Sequence, residues 1–163
     1  MHLKNIVKPI LILLLSFSFT LAALGQDLNG FANKSEAKNQ VANGVKDGKW
    51  IEYYNMFKNV TNDTAISIFY SLTIYKAGEP VGIRRFYYMN GQLEGIIPFK
   101  DGKEDGVAKE YYPDGKLEVK TPYKQGKIEG VRSWYYKSGQ LKNETVYTND
   151  IPGVSTDYYE GDN

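Results

Sequence analysis

The sequence predicts an all-β fold, an elongated antiparallel meander of about five two-strand hairpin repeats laid out as a single sheet. Three observations predict it. Several residue series recur at a spacing of 24. Short aromatic runs end at glycine-bearing turns. The segment after each turn alternates apolar and polar residues at the strand period of two. The phased series are Gly82, Gly106 and Gly130; the pairs Tyr87-Tyr88, Tyr111-Tyr112 and Tyr135-Tyr136; Gly91, Gly115 and Gly139; Leu93, Leu117 and Leu141; and Tyr75, Phe99, Tyr123 and Tyr147.

Residues 1–25 read as a secretory signal peptide. Lys4 and Lys8 precede an apolar run over 10–24 that Ser16, Ser18 and Thr20 interrupt, and Ala23 and Gly25 place small residues before a cleavage near Gly25-Gln26. A spanning helix is the competing reading, but a run of that length at ~1.5 Å per residue reaches about 22 Å, short of the ~30 Å hydrocarbon core. The expectation is export to the periplasm, cell surface or medium, with membrane contact only through the signal before cleavage.

Residues 26–42 are rich in Asn, Lys, Ser and Ala and show neither periodicity, which predicts a flexible lead-in. The repeat domain is expected over 43–163. Removing 25 of the 163 residues leaves 138, enough for one domain. Without Lys4 and Lys8 the cations fall from 20 to 18 against 19 acidic residues, too balanced for a nucleic-acid partner, which would require a basic surplus.

Two irregular copies flank the three regular ones. Gly48 to Tyr53-Tyr54 repeats the glycine-to-tyrosine spacing at the front, and Gly153 to Tyr158-Tyr159 repeats it one residue early at the back, as capping units of an array do. The first unit also carries about ten extra residues between Tyr54 and Tyr75. Residues 59–64 read as a long turn. Residues 65–75, alternating Ile66, Ile68, Tyr70, Leu72 and Ile74, read as a long apolar strand that closes one end of the sheet, with a binding loop as the competing role.

Within a regular unit, residues 107–112 form a strand that enters a tight turn at Pro113-Asp114-Gly115; Met89-Asn90-Gly91 and Lys137-Ser138-Gly139 are its equivalents. Residues 116–123 then place Leu117, Val119, Thr121 and Tyr123 on one face and Lys116, Glu118, Lys120 and Pro122 on the other. Gln125-Gly126-Lys127 turns the chain back. Adjacent tyrosines must point to opposite faces, so an aromatic ladder is expected on each, stabilised by ~0.2–1 kcal/mol per cross-strand pair.

The run Asp101-Gly102-Lys103-Glu104-Asp105-Gly106 through Tyr111-Tyr112-Pro113-Asp114-Gly115-Lys116-Leu117 resembles the bacterial variant of the MORN repeat. So does Gln125-Gly126-Lys127-Ile128-Glu129-Gly130 through Trp134-Tyr135-Tyr136-Lys137-Ser138-Gly139-Gln140-Leu141. The resemblance spans about residues 43–163 and implies a scaffold or protein-binding array. Chains of this kind are grouped as YwqK-type antitoxins of toxin–antitoxin systems, which implies a toxin or immunity-type target. An export signal places such a target outside the inner membrane.

Catalysis is not expected. The single histidine, His2, falls in the signal and there is no cysteine, which removes Ser-His and Cys-His nucleophiles, histidine zinc sites and thiol chemistry from the remaining chain. Glu110, Glu118 and Asp114 stand at repeat-phased polar positions and read as solvated charges rather than an acid–base pair. No cofactor-binding or metal-binding residues are expected. The candidate partner surface is the row Tyr88, Tyr112 and Tyr136 with Phe86 and Trp134, residue types enriched in binding hot spots. The preferred partner is a protein; the alternative, from a different class, is an envelope polysaccharide stacked on the same rings.

Overall fold

The computed structural model describes Phe31 and residues 33–161. The signal peptide expected over 1–25 lies outside these residues. The strands are β1 (Gln40–Ala42), β2 (Val45–Tyr54), β3 (Val60–Thr61), β4 (Phe69–Lys76), β5 (Glu79–Tyr88), β6 (Leu93–Lys100), β7 (Lys103–Glu104), β8 (Gly106–Tyr111), β9 (Leu117–Lys124), β10 (Lys127–Ile128), β11 (Gly130–Tyr135), β12 (Leu141–Thr148) and β13 (Ile151–Asp157). They form one antiparallel sheet in the order β1-β2-β4-β5-β6-β8-β9-β11-β12-β13, with the two-residue strands β3, β7 and β10 attached to β2, β6 and β9. The meander predicted from the period is therefore the fold.

Two kinds of turn alternate. In one, both central residues have positive φ: Asn43-Gly44, Ala77-Gly78, Asp101-Gly102, Gln125-Gly126 and Asn149-Asp150. That is the signature of the type I′ hairpin, whose twist matches the flanking strands. In the other, the second tyrosine of each pair closes the loop: Tyr112 N–H donates to the Lys116 carbonyl at 2.8 Å, and Gly115 N–H donates back to the Tyr112 carbonyl at 2.8 Å. Tyr88 and Tyr136 repeat both bonds.

The phased glycines and phased aromatics turn out to be cross-strand partners. Gly48 faces Tyr75, Gly82 faces Phe99, Gly106 faces Tyr123 and Gly130 faces Tyr147. Gly106 has φ 117, and a Cβ there would stand 2.9 Å from Pro98 Cγ; at Gly130 the corresponding distance to Pro122 is 3.4 Å. Gly106→Ala is accordingly expected to cost about 1–3 kcal/mol of unfolding free energy in a urea titration. Gly130→Ala is expected to cost less, and equal losses at the two sites would contradict the steric account.

A register shift occurs once in each regular hairpin, between Phe86 and Tyr87, Glu110 and Tyr111, and Trp134 and Tyr135. It leaves Glu94, Glu118 and Lys142 as the extra residues of β-bulges. This corrects the alternation expected for residues 116–123. Val119 pairs with Glu110, but Leu117 pairs with the adjacent Tyr111, so Leu117 joins the opposite face from Val119, Thr121 and Tyr123.

The register traces both faces without interruption. One line of partners runs Ile51, Leu72, Arg85, Ile96, Lys109, Lys120, Ser133, Glu144 and Thr156; the other runs Glu52, Ser71, Phe86, Gly95, Glu110, Val119, Trp134, Asn143 and Asp157. We call these the leucine face and the tryptophan face. The leucine face holds a core cluster of Phe31, Tyr70 and Leu72 with Ile51, Tyr53, Ile74 and Tyr87 against it. Farther along, that face turns to lysines. The tryptophan face instead buries small side chains between large ones, with Ser71 0% and Thr73 1% exposed and Val119, Thr121 and Thr145 also buried.

Ring contacts are less uniform than a ladder. Five ring pairs lie among β2, β4 and β5, including Tyr70 stacked on Tyr87 at 5.1 Å and Tyr54 against Phe86 at 5.5 Å. In the later repeats, where equivalent tyrosines stand two strands apart, cations cover the rings instead: Lys120 over Tyr135, Lys137 over Tyr112 and Lys142 over Tyr136.

Two further expectations change at the front of the array. The flexible lead-in over 26–42 is corrected where it is described. Phe31 is buried in the core, Asn33 caps a 3-10 turn at Lys34–Glu36, Lys49 pairs with Glu36, and β1 pairs with β2. An apolar anchor and a capped turn, rather than periodicity, order this segment. The long apolar strand over 65–75 begins only at Phe69, because Asp63 binds Ala65 N–H and Ser67 Oγ in a turn that leaves Ile66 and Ile68 exposed.

Candidate binding face

The residues singled out from sequence occupy the tryptophan face. Phe86 and Trp134 lie on one unbroken line of cross-strand partners, and Tyr88, two residues beyond Phe86, pairs with Phe69. Tyr112 and Tyr136 follow at the ends of β8 and β11. All five side chains are half-buried. Phe86 rests on Tyr54, Tyr88 lies 5.4 Å from Phe69, and the Arg132 guanidinium stacks 4.4 Å from the Trp134 ring.

Two of the tyrosine hydroxyls are already engaged. Tyr112 Oη donates to the Tyr135 carbonyl at 2.7 Å and Tyr136 Oη donates to the Tyr158 carbonyl at 3.0 Å. Each is a clasp from one repeat to the next. These rings are thereby held rigid, which lowers the entropy lost when a partner packs on them.

The bulges add charge to this row. In each repeat the bulge residue lies beside the tyrosine: Glu94 near Tyr88, Glu118 near Tyr88 and Tyr112, and Lys142 over Tyr136. Burial, reinforced by Glu94, Glu118 and Glu110 against the opposing Lys58, holds the Tyr88 phenol above its ordinary value. Burial also raises Tyr112, with Glu118, Asp114 and Glu160 adding to it.

Sequence reasoning missed the residues that lock this face. Lys58, from the inserted segment, donates to Glu94 Oε1 at 2.7 Å, stands 3.9 Å from Glu110 and lies over the Phe69 ring. Burial works to lower Lys58, but the hydrogen bond and the charges of Glu94 and Glu110 outweigh it, so the ammonium titrates above an ordinary lysine. Arg84 donates from Nε to Thr73 Oγ1 at 3.0 Å and from Nη2 to Tyr75 Oη at 3.1 Å, while its head stacks on Phe99. Tyr75 in turn donates to Glu52, which pairs with Lys46. Near this network burial raises the Glu104 carboxyl, opposed by Arg84 and aided by Asp150.

Among the described residues no group of three or more His, Cys, Asp or Glu is placed to hold a metal. What the face offers is contact area: rigid rings, flanking carboxylates and a hollow between β6 and β8 lined by Phe86, Gly95, Ile97, Ala108 and Tyr123.

Residues 80–101, 104–125 and 128–149 each match the MORN repeat variant. Three consecutive units of the sheet thus match this repeat. The three matches begin one repeat apart, in β5, β7 and β10, run through the hairpins β5–β6, β8–β9 and β11–β12, and end within successive type I′ turns. The five candidate side chains fall inside the matched repeats, whereas Lys58 comes from the irregular unit before them. No curated protein and no solved structure matches the chain.

Proposed function

We propose that this protein is an exported protein-binding module, not an enzyme, whose tryptophan face docks a partner protein outside the inner membrane. A toxin or effector neutralised in an antitoxin- or immunity-type role is the partner class we infer. The reading rests chiefly on one observation: Phe86, Tyr88, Tyr112, Trp134 and Tyr136 share one face as half-buried rings, with Tyr112 and Tyr136 clasped to the following unit. MORN-variant repeats suit a binding array of this kind, since each unit adds the same surface at a fixed step. Export is supported by the basic, apolar and small-residue sequence of residues 1–25.

The test is reconstitution. Immobilised protein should retain one stoichiometric protein from an envelope extract, and the purified pair should co-elute on size exclusion. Trp134→Ala should weaken that complex by about 2 kcal/mol or more, the scale of a hot-spot residue. Retention on purified cell-wall polysaccharide with no protein partner, abolished by Trp134→Ala, would replace this reading with the carbohydrate one.

A further inference from the structure

The hollow on the tryptophan face exists because two side chains are missing from the repeat pattern. Where β5 carries Arg84 and β11 carries Arg132, β8 carries Ala108; where β9 carries Val119 and β12 carries Asn143, β6 carries Gly95. A Cβ on Gly95 would stand 3.0 Å from the Lys109 carbonyl oxygen, so the close backbone approach keeps this position bare. The result is a cavity walled by the rings of Phe86 and Tyr123.

Its charge is unbalanced. Glu94 and Glu110 both line it, and among the described residues Lys58 is the cation that pairs with both; Lys109 also borders the cavity, from a strand position on the leucine face. Glu94 is the deeper, its side chain 10% exposed, and it holds Lys58 Nζ at 2.7 Å. Glu110, 43% exposed, lies at the rim 3.9 Å from the same ammonium. The lysine that partly neutralises them is itself 56% exposed. It sits at φ 57 in a tight turn outside the sheet. Arg84 and Arg132, on either side, do not line the cavity, because their heads stack on Phe99 and Trp134.

We propose that this cavity receives a lysine or arginine side chain of a protein partner, whose cationic head meets Glu110 and Glu94 between Phe86 and Tyr123 and displaces Lys58. Aromatic rings and carboxylates both favour a cation there, and two carboxylates against one paired ammonium, itself 56% exposed, leave one negative charge to be met. Lys58 is then an internal stand-in for the incoming group: it keeps Glu94 paired in the free protein and gives way on binding. An acidic segment would meet the carboxylates of Glu94 and Glu110, while the ammonium of Lys58 is already paired with them. The proposal rests on the protein-binding reading above and specifies the chemistry of what is bound.

The test is fluorescence polarisation of the whole protein with labelled hexalysine, hexaarginine and hexaglutamate. The two basic peptides should bind and hexaglutamate should not. Lys58→Ala, which removes the internal competitor, should tighten binding roughly three- to tenfold. Glu110→Gln should weaken it roughly tenfold, while Asp101→Asn, a carboxylate change in a distant turn, should leave it unchanged. Ala108→Leu should abolish it by filling the cavity. Lys58 and Glu110 are exposed enough that their variants keep the test intact if Ala108→Leu does not fold. Failure of Lys58→Ala to tighten binding would overturn the proposal, as would equal losses in Glu110→Gln and Asp101→Asn. A stoichiometric partner lost with Trp134→Ala yet indifferent to Glu110→Gln would leave the protein-binding reading standing and end this one.

Discussion

Replacing Tyr70 by alanine is expected to lower the free energy of unfolding by about 3–5 kcal/mol, the range for emptying a large aromatic site in a packed core. Tyr70 is the central ring of the leucine face: buried, stacked on Tyr87 at 5.1 Å, 6.4 Å from Tyr53, and clustered with Phe31 and Leu72. Its loss opens a void that strands fixed by cross-strand hydrogen bonds on both sides cannot close. It also removes the surface on which Phe31 rests, so the segment before β1 should lose its hold. Equilibrium urea unfolding measures the first effect and amide exchange at Asn39 and Ile51, which bond to each other, measures the second. Tyr159→Ala, at an exposed ring of the last unit, should change stability by less than about 0.5 kcal/mol. Comparable losses at the two tyrosines would mean that the core is not concentrated where the cluster places it.

Replacing Arg84 by methionine is expected to cost about 2–4 kcal/mol, because it keeps the aliphatic stem while leaving two interior hydroxyls without their donor. Thr73 Oγ1, 1% exposed, and Tyr75 Oη each accept a hydrogen bond from the guanidinium. Neither can readily turn to water. The double variant Arg84→Met with Thr73→Val should recover about 1 kcal/mol of the loss, since the orphaned hydroxyl is then gone as well. If Thr73→Val instead deepened the loss additively, the two side chains would not be coupled and the network account would fail.

The period of 24 made the sheet legible because each turn type needs its own residues. Paired positive φ selects Asp101-Gly102 and Gln125-Gly126, and tyrosine-closed loops select Pro113-Asp114-Gly115. That Phe86 and Trp134 share a face followed from strand alternation and from the whole number of units between them. Leu117 was misplaced because a bulge adds one residue without leaving any mark in the apolar pattern. Lys58 and Glu94 were invisible for another reason: they meet across 36 residues and join an irregular loop to a bulge. Ala108 did carry a signal. It breaks the Arg84 and Arg132 series, and a search for exceptions to the repeat, rather than for its regularities, would have pointed to the hollow.

The sequential strand order, in which no connection crosses another, has a consequence for how such a chain can change length. A cut at Gly106 and another at Gly130 would release a hairpin whose two flanks present equivalent glycines, each opposite an aromatic side chain. Rejoining them restores the same pairing with one unit fewer, and duplication lengthens the ribbon by the same step. The molecule is in this sense a ruler whose divisions can be added or removed, and its reach along a target is set by how many times one stretch of chain is copied.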